Sequence, residues 1–187
     1  MSLRYSKVGL LALFALFIYY CDNEENPEEE EYVPEQGDFY EGGIVYYLRG
    51  DSGYVCSTAD LTVSDWSMGT CKVTTSYSDG KTNTEELVEL SCDCLAAQAC
   101  VNYQGGDFDD WYLPSYDELI ILFERRRYIG EFNSNVAYLS STVRRGAYAT
   151  YVVCGVFFSG GERGCDFGMR GSVPIPVRPI RKFYITE

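Results

Sequence analysis

Hydrophobic positions with β-strand propensity form two short runs that a turn separates. Apolar, β-branched and aromatic residues fill 43–48 and 54–58, and the polar, glycine-containing stretch 49–53 separates them. This pattern predicts an antiparallel hairpin. The following stretch, 60–83, is rich in polar residues and glycine around Trp66. It predicts a long loop, and loops of such length in compact domains are often functional.

Two later segments have the apolar spacing of helices. Residues 84–102 predict a helix that is interrupted near Ser91. Residues 116–127 predict a second helix, because Ser115 can cap its N-terminus and Glu118 stands three residues later, which is the capping-box spacing. Acidic residues at its start and arginines at its end favour the same helix through its dipole.

The C-terminal part of the chain has strand character with glycine-rich joints. The predicted strands are 136–141, 149–158, 164–169 and 177–184. Two helices and a mainly antiparallel, twisted sheet with long irregular loops indicate the α+β class.

The N-terminus has the charged and then apolar layout of a secretory signal. Arg4 and Lys7 precede the uncharged run 8–20, and Cys21 follows it. The run is shorter than the ~20 apolar residues that a membrane-spanning helix needs. Residues 1–20 resemble a lipoprotein signal, although Tyr20 stands where a small residue is usual. Lipidation of Cys21 would anchor the chain to a membrane; an uncleaved signal anchor is the alternative.

Residues 21–36 are interpreted as an acidic, disordered tether. Ten acidic residues and no base lie between Asp22 and Glu41, and a segment with so little apolar content cannot bury enough surface to fold. The tether resembles the acidic segments of surface-exported lipoproteins of some Gram-negative bacteria, which implies an outer-membrane, surface-exposed location. A simple spacer is equally compatible.

The remaining chain, 37–187, is predicted to be one domain. Its length suits a single core. From 42 to 187 the sequence has 18 acidic and 13 basic residues, a net charge of −5. The only basic clusters are 125–127 and 144–145, which argues against a nucleic-acid partner. The full chain contains seventeen tyrosines, a residue that serves binding surfaces as well as strands.

Eight cysteines in an exported chain predict disulfides. Cys154 and Cys165 flank a glycine-containing turn, and a two-residue turn at 159–160 would place them directly across a hairpin, within disulfide range. The sequence also predicts that Cys71 pairs with Cys92, Cys94 or Cys100, without choosing among them, and that one thiol is left over. Cys92, Cys94 and Cys100 do not have the C-x₂₋₄-C spacing of zinc sites.

The chain contains no histidine, so Ser-His-Asp and Cys-His nucleophilic systems are excluded. Asp107, Asp109 and Asp110 are weak calcium candidates, because carboxylates near glycines can ligate calcium but also commonly form turns. We therefore expect no catalytic residues, no metal and no cofactor.

An ordered series of motifs resembles a known family, the domain of unknown function 1566, also called the Legionella collagen-like protein C-terminal domain. The resemblance covers 37–183. The motifs are GGIVYYL at 42–48, Trp66, the TNT of 82–84, Ala96-Ala97 with Cys100, DWYLPSYDEL at 110–119, YLSST at 138–142 and PVRPIRKF at 176–183.

The resemblance implies a C-type lectin-like fold related to that of the formylglycine-generating enzyme. In that fold the Trp111, Leu113, Pro114, Ser115 and Glu118 motif starts a helix. Two departures matter. Leu139 replaces the usual tryptophan of the family, and the calcium-ligating triplet of sugar-binding C-type lectins is absent. Calcium-dependent sugar binding is therefore not implied, and the fold alone does not assign a ligand.

These features together predict a lipid-anchored surface protein that binds an extracellular glycan or protein, rather than an enzyme. Trp66, Arg144, Arg145 and Tyr148 are the expected exposed contacts. A cysteine-dependent enzyme of the formylglycine-generating type and a structural subunit of an envelope or fibre assembly are the alternatives.

Overall fold

The structure is a computed structural model that describes residues 32–66, 71–90, 93–130, 132–167 and 174–185. The chain divides into two units, Met1–Tyr32 and Val33–Glu187, and every helix and strand that is described belongs to the second. None of the described helices is both long and apolar enough to cross a membrane. The predicted signal, Cys21 and the tether up to residue 31 lie outside the described residues.

The second unit is an α+β structure, as the sequence predicts. The described part contains nine strands and three α-helices. In chain order these are β1 (Phe39–Tyr40), β2 (Gly43–Arg49), β3 (Ser52–Cys56), β4 (Leu61–Val63), α1 (Gly80–Glu89), α2 (Leu95–Val101), α3 (Tyr116–Arg125), β5 (Ala137–Arg145), β6 (Tyr151–Phe157), β7 (Arg163–Phe167), β8 (Ile175–Val177) and β9 (Ile180–Tyr184). Short 3₁₀ turns occupy Gly105–Asp107, Arg126–Tyr128 and Ala147–Ala149.

The strands form three antiparallel sheets rather than one. The first has the order β1-β2-β3-β9, the second pairs β4 with β8, and the third has the order β5-β6-β7. The predicted hairpin is present as β2 and β3, and Gly50 in its turn has φ +60°, which glycine adopts without strain. Because β9 pairs with β3, the beginning and the end of the domain share one sheet.

The first sheet contains an irregularity that matters for its surface. Tyr47 lies opposite Tyr54, and Tyr54 lies opposite Lys182, so three neighbouring strands carry these side chains in one row. The register of β2 against β3 shifts by one residue between Val45 and Tyr47. Tyr46 is therefore the extra residue of a β-bulge, a device that redirects side chains.

The helices follow the sequence signals with one correction. Helix α3 begins after Ser115, whose hydroxyl accepts a hydrogen bond from the Glu118 amide, while the Glu118 carboxylate accepts one from the Ser115 amide; the predicted capping box is confirmed. The segment predicted as one interrupted helix forms two separate helices, α1 and α2. Helix α1 also starts four residues early, because the Asp79 carboxylate caps it by accepting from Thr82 N. The expectation of two helices was therefore wrong.

The predicted loop 60–83 and the predicted strand 177–184 also need correction. The loop contains β4, and the strand is two strands, β8 and β9, separated by Arg178 and Pro179. The Arg178 side chain is 2% exposed, and its Nε lies 2.7 Å from Asp60 Oδ1. The ion pair and the missing amide hydrogen of proline interrupt the ladder at this point. The predicted strands 136–141 and 149–158 are confirmed with shifted ends as β5 and β6, and the strand predicted at 164–169 is present as β7. Residues 168–169 lie outside the described residues.

The core of the domain is divided into clusters of buried apolar side chains. One surrounds Trp66 and includes Cys94, Cys100 and Leu113. A second packs helix α3 against Tyr46 of β2, Tyr138 of β5 and Val156 of β6. A third lies on the other face of the first sheet and includes Trp111. Apolar burial of this kind is the main favourable contribution to folding.

Buried hydroxyls hold the loops against β5. Ser140, Ser141 and Thr142 are each fully buried. Ser140 Oγ donates to the carbonyl of Cys154, and Thr142 Oγ1 donates to the carbonyl of Ser76. Ser141 Oγ accepts from Asn83 Nδ2. Each of these three hydroxyls thus has a partner, and the three serve structure rather than a ligand.

Candidate functional site

An open cleft of about 420 Å³ lies between the first sheet and the first turns of α3. The cleft is distinguished by tyrosines and by side chains of both charges. Its lining residues are Tyr46, Tyr47, Arg49, Asp51, Ser52, Tyr54, Ser78, Asp117, Glu118, Ile121 and Lys182. The volume is within the range of about 300–1,000 Å³ that is usual for small-molecule sites.

Three tyrosines share the sheet side of the cleft because of the β-bulge. The Tyr47 and Tyr54 rings have centroids 6.0 Å apart and planes inclined by 36°. The Tyr46 ring lies 6.2 Å from Tyr54. In a regular strand, consecutive side chains point to opposite faces. The extra residue allows Tyr46 and Tyr47 both to approach Tyr54.

Tyr46 is the most unusual member of this cleft. The residue is 1% exposed, and its hydroxyl has no hydrogen-bond partner among the residues that the structure describes. Burial, and then the neighbouring Tyr112 and Glu118, raise the pKa of Tyr46 well above its ordinary value. The hydroxyl therefore stays protonated and can donate a hydrogen bond. In the described part of the chain, Asp65 Oδ1 is the one fully enclosed side-chain oxygen or nitrogen without a partner. The Tyr46 hydroxyl is therefore not fully enclosed, and since Tyr46 lines the cleft this hydroxyl can donate to a ligand.

Glu118 forms part of the opposite wall and is fully engaged. Its carboxylate accepts hydrogen bonds from Gly80 N (3.1 Å), Ser115 N (2.8 Å), Ser115 Oγ (2.7 Å) and Tyr112 OH (3.0 Å). Burial raises the pKa of Glu118, although these donors oppose the shift. This side chain ties α3 to the start of α1, and thereby fixes the wall of the cleft.

The remaining charged groups of the cleft nearly balance. Arg49 and Lys182 supply two positive charges, and Asp51 and Asp117 supply two negative ones. Tyr184 raises the pKa of Lys182, so its ammonium group remains charged. The lining thus offers hydrogen-bond donors and acceptors without a strong field of either sign.

The four predicted contact residues do not lie in this cleft. Trp66 is fully buried, and its Nε1 donates to the carbonyl of Ser140 at 3.0 Å. The expectation that Trp66 is an exposed contact was wrong, because its large apolar ring is packed into a core cluster. Arg144 and Arg145 lie at the exposed end of β5, and Arg144 is 3.8 Å from Asp166. Tyr148 follows them in the β5–β6 connection, is fully exposed and has φ +55°.

The predicted hairpin disulfide is present. Cys154 and Cys165 are bonded across β6 and β7. The register pairs Gly155 with Gly164, which sets the two cysteines opposite each other as predicted. The connection is longer than the two-residue turn that was expected, because Phe157 N bonds to the carbonyl of Glu162.

The other cysteines correct the sequence prediction. Cys71 is disulfide-bonded, but Cys94 and Cys100 are free and buried, so neither is its partner. Both thiols are packed around Trp66, and Cys94 Sγ donates to the Trp66 carbonyl at 3.3 Å. Cys92, the remaining candidate, lies outside the described residues. Cys56 is a third free and buried thiol among the described residues, whereas one leftover thiol was expected.

The weak calcium candidates do not form a shared site. Asp110 is committed to an ion pair, with its Oδ1 2.5 Å from Arg181 Nε, and Glu41 bonds to the same guanidinium. Asp107 has φ +61° in an exposed 3₁₀ turn, and Asp109 is exposed. In the described ranges, no three His, Cys, Asp or Glu side chains come together in a way that could hold a metal ion.

The WYLPS motif lies in the core and joins the elements around α3. Trp111 Nε1 donates to the carbonyl of Gly105 at 3.1 Å. The Leu113 carbonyl accepts from Thr84 Oγ1, and the Pro114 carbonyl accepts from Ser141 N. These contacts connect α1, α3 and β5. The residues of the motif therefore have a structural role in the core.

The cleft tyrosines were not identified from the sequence. The only signal was the Tyr46-Tyr47 pair in a predicted strand followed by Tyr54 in the next. Alternation predicts that the pair points to opposite faces, and only the bulge places both beside Tyr54. Lys182 joins them through the pairing of β9 with β3, which no local pattern reveals.

No family model, curated protein or solved structure matches the chain.

Proposed function

We propose that the chain is a lipid-anchored surface protein of a bacterial outer membrane whose domain recognises an extracellular ligand, a glycan or a protein, in the tyrosine cleft. One observation carries the binding role: Tyr46, a residue that is only 1% exposed, lines the cleft, and its hydroxyl has no hydrogen-bond partner in the described residues. The export signal, Cys21 and the acidic tether support the location.

We also propose that the domain has the C-type lectin-like fold of the family it resembles in sequence. The motifs that carry the resemblance lie at structurally important points. The WYLPS segment starts α3, and the last strand pairs with the first hairpin. These features support the fold proposal, but they do not indicate a ligand, which is inferred from the cleft.

A binding role agrees better with the cysteines than the enzymatic alternative does. The enzymatic alternative of the formylglycine-generating type needs a reactive pair of free thiols, and Cys154 and Cys165, which lie opposite each other, are joined in a disulfide. The free thiols of Cys56 and Cys94 are buried, and burial raises the pKa of each to about 12. Thiols of this kind are unreactive because the thiolate is the nucleophile.

One observation favours a second candidate function, docking to another protein in an envelope or fibre assembly. Tyr148 is fully exposed with a positive φ and follows Arg144 and Arg145. Tyrosine and arginine are enriched at the centres of protein interfaces. The β5–β6 connection could therefore be the contact surface of such an assembly.

An array of glycans and host-matrix proteins tests both candidates with three forms of the full chain: the wild type, Tyr54→Ala and Tyr148→Ala. Loss of binding in Tyr54→Ala alone supports the cleft, provided that the variant retains a cooperative thermal unfolding transition. Loss in Tyr148→Ala alone supports docking through the β5–β6 connection. Absence of any wild-type binding would refute the recognition role.

The location needs a separate experiment. Cells that produce the wild type or Cys21→Ala are labelled with a palmitate analogue and fractionated. We expect label and outer-membrane recovery for the wild type only. An unlabelled wild-type protein in the cytosol would contradict the proposal.

A further inference from the structure

We infer that the ligand of the tyrosine cleft is an uncharged saccharide ring that is held without a metal ion. This inference rests on the proposed function, since it takes the cleft to be the binding site, and it adds the chemical class of the ligand.

The sheet side of the cleft offers an aromatic surface to an apolar face. Tyr47 and Tyr54 are half-buried, and their ring centroids are 6.0 Å apart, so the two rings offer neighbouring aromatic surfaces in the cleft. A pyranose ring has a face of C–H groups that can lie on aromatic rings, whose faces carry partial negative charge. Ile121 adds an apolar group on the helix side.

The hydrogen-bonding groups of the cleft suit hydroxyls. A hydroxyl both donates and accepts, and the lining supplies both kinds of partner. The protonated Tyr46 hydroxyl, Arg49 and Lys182 can donate, whereas Asp51 and Asp117 can accept. A ligand with several hydroxyls can satisfy all of these groups.

The charge of the lining argues against a strongly charged ligand. The lining carries two bases and three acids, and one of these acids, Glu118, already accepts four hydrogen bonds from the protein. A net anion or cation would meet as much repulsion as attraction, and its desolvation would not be repaid. Within the described residues no set of three acidic, Cys or His side chains could share a metal ion, so recognition must come from the cleft's own groups.

The test is saturation-transfer difference NMR on the full chain in the presence of EDTA. The panel contains the methyl glycosides of glucose, galactose, mannose and N-acetylglucosamine. It also contains two charged sugars, N-acetylneuraminic acid and glucuronic acid, and zwitterionic alanine. We expect transfer to the ring C–H protons of at least one neutral glycoside, with no change when calcium replaces EDTA.

Two matched variants connect the signal to the cleft. Tyr46→Phe removes only the unpartnered hydroxyl, and it should weaken binding of the neutral glycoside by about 3- to 10-fold without lowering the unfolding temperature. Tyr103→Phe is the control, because Tyr103 is also half-buried but packs on Trp111 outside the cleft. Its affinity should stay within about twofold of the wild type.

The results distinguish a wrong ligand class from a wrong binding site. Binding of only charged or zwitterionic compounds, a requirement for calcium, or no transfer from any neutral glycoside would overturn the saccharide inference. If one of those other ligands were weakened by Tyr46→Phe, the cleft would still stand as the binding site. Binding of a neutral glycoside that is unaffected by both Tyr46→Phe and Tyr54→Ala would overturn the cleft itself.

Discussion

The Glu118 carboxylate is the single side chain on which the helix wall of the cleft depends. Glu118→Ala would leave the amides of Gly80 and Ser115, and the hydroxyls of Ser115 and Tyr112, without their acceptor. Two amides at about 1–2 kcal/mol each and two hydroxyls at about 0.5–1 kcal/mol each predict a loss of about 3 to 6 kcal/mol in the free energy of unfolding.

The matched variant is Glu118→Gln. A glutamine oxygen can still accept from the Ser115 amide and so retain the capping box, and its amide group can donate to Tyr112. We expect a loss of no more than about 1 kcal/mol at neutral pH. Urea-induced unfolding under non-reducing conditions, followed by far-UV circular dichroism, measures both changes. If Glu118→Ala cost less than about 1 kcal/mol, the carboxylate would not hold the wall, and this reasoning would fail.

The same pair of proteins reports the pKa of Glu118. Burial raises this pKa above its ordinary value of 4.5, so the folded state binds the proton more tightly than the unfolded state does. The contribution of Glu118 is fully present below 4.5 and is lost as the pH rises through the folded-state pKa. The stability of the wild type should therefore fall relative to Glu118→Gln as the pH rises from 4.5, whereas a relative rise would show that the hydrogen bonds outweigh burial.

Further predictions concern the cysteines and the ion pairs. Replacing both Cys154 and Cys165 with alanine opens a loop with a sequence separation of 11 and should cost about 3 kcal/mol; an unchanged urea midpoint would contradict this. The three buried free thiols should resist maleimide at pH 8 in the native protein and react after unfolding, as mass spectrometry can show, whereas rapid native labelling would mean that they are accessible. Arg178→Ala should cost about 3 to 5 kcal/mol because it removes a buried guanidinium that bonds both Asp60 and the Ser57 carbonyl. Arg144→Ala, at an exposed and longer pair, should cost at most about 0.5 kcal/mol. Equal losses of stability would refute the distinction.

Local chemistry was sufficient to predict several elements. The capping box of Ser115 and Glu118 defined the start of α3, because its two hydrogen bonds join residues three apart. The β2–β3 hairpin followed from two runs of β-forming residues around a glycine-containing turn. The disulfide between Cys154 and Cys165 followed from the pairing geometry of a hairpin. In each case the interacting groups are close in the sequence.

The cleft and the state of the remaining cysteines were decided by tertiary structure. The bulge at Tyr46 and the pairing of β9 with β3 place three tyrosines beside Lys182, and neither contact is encoded by a local pattern. Trp66 looked like an exposed loop residue because its neighbours are polar, yet distant strands and helices bury it together with Cys94 and Cys100. Burial depends on which elements pack together. Local periodicity therefore predicts the helices and strands, whereas the site exists only once those elements are packed.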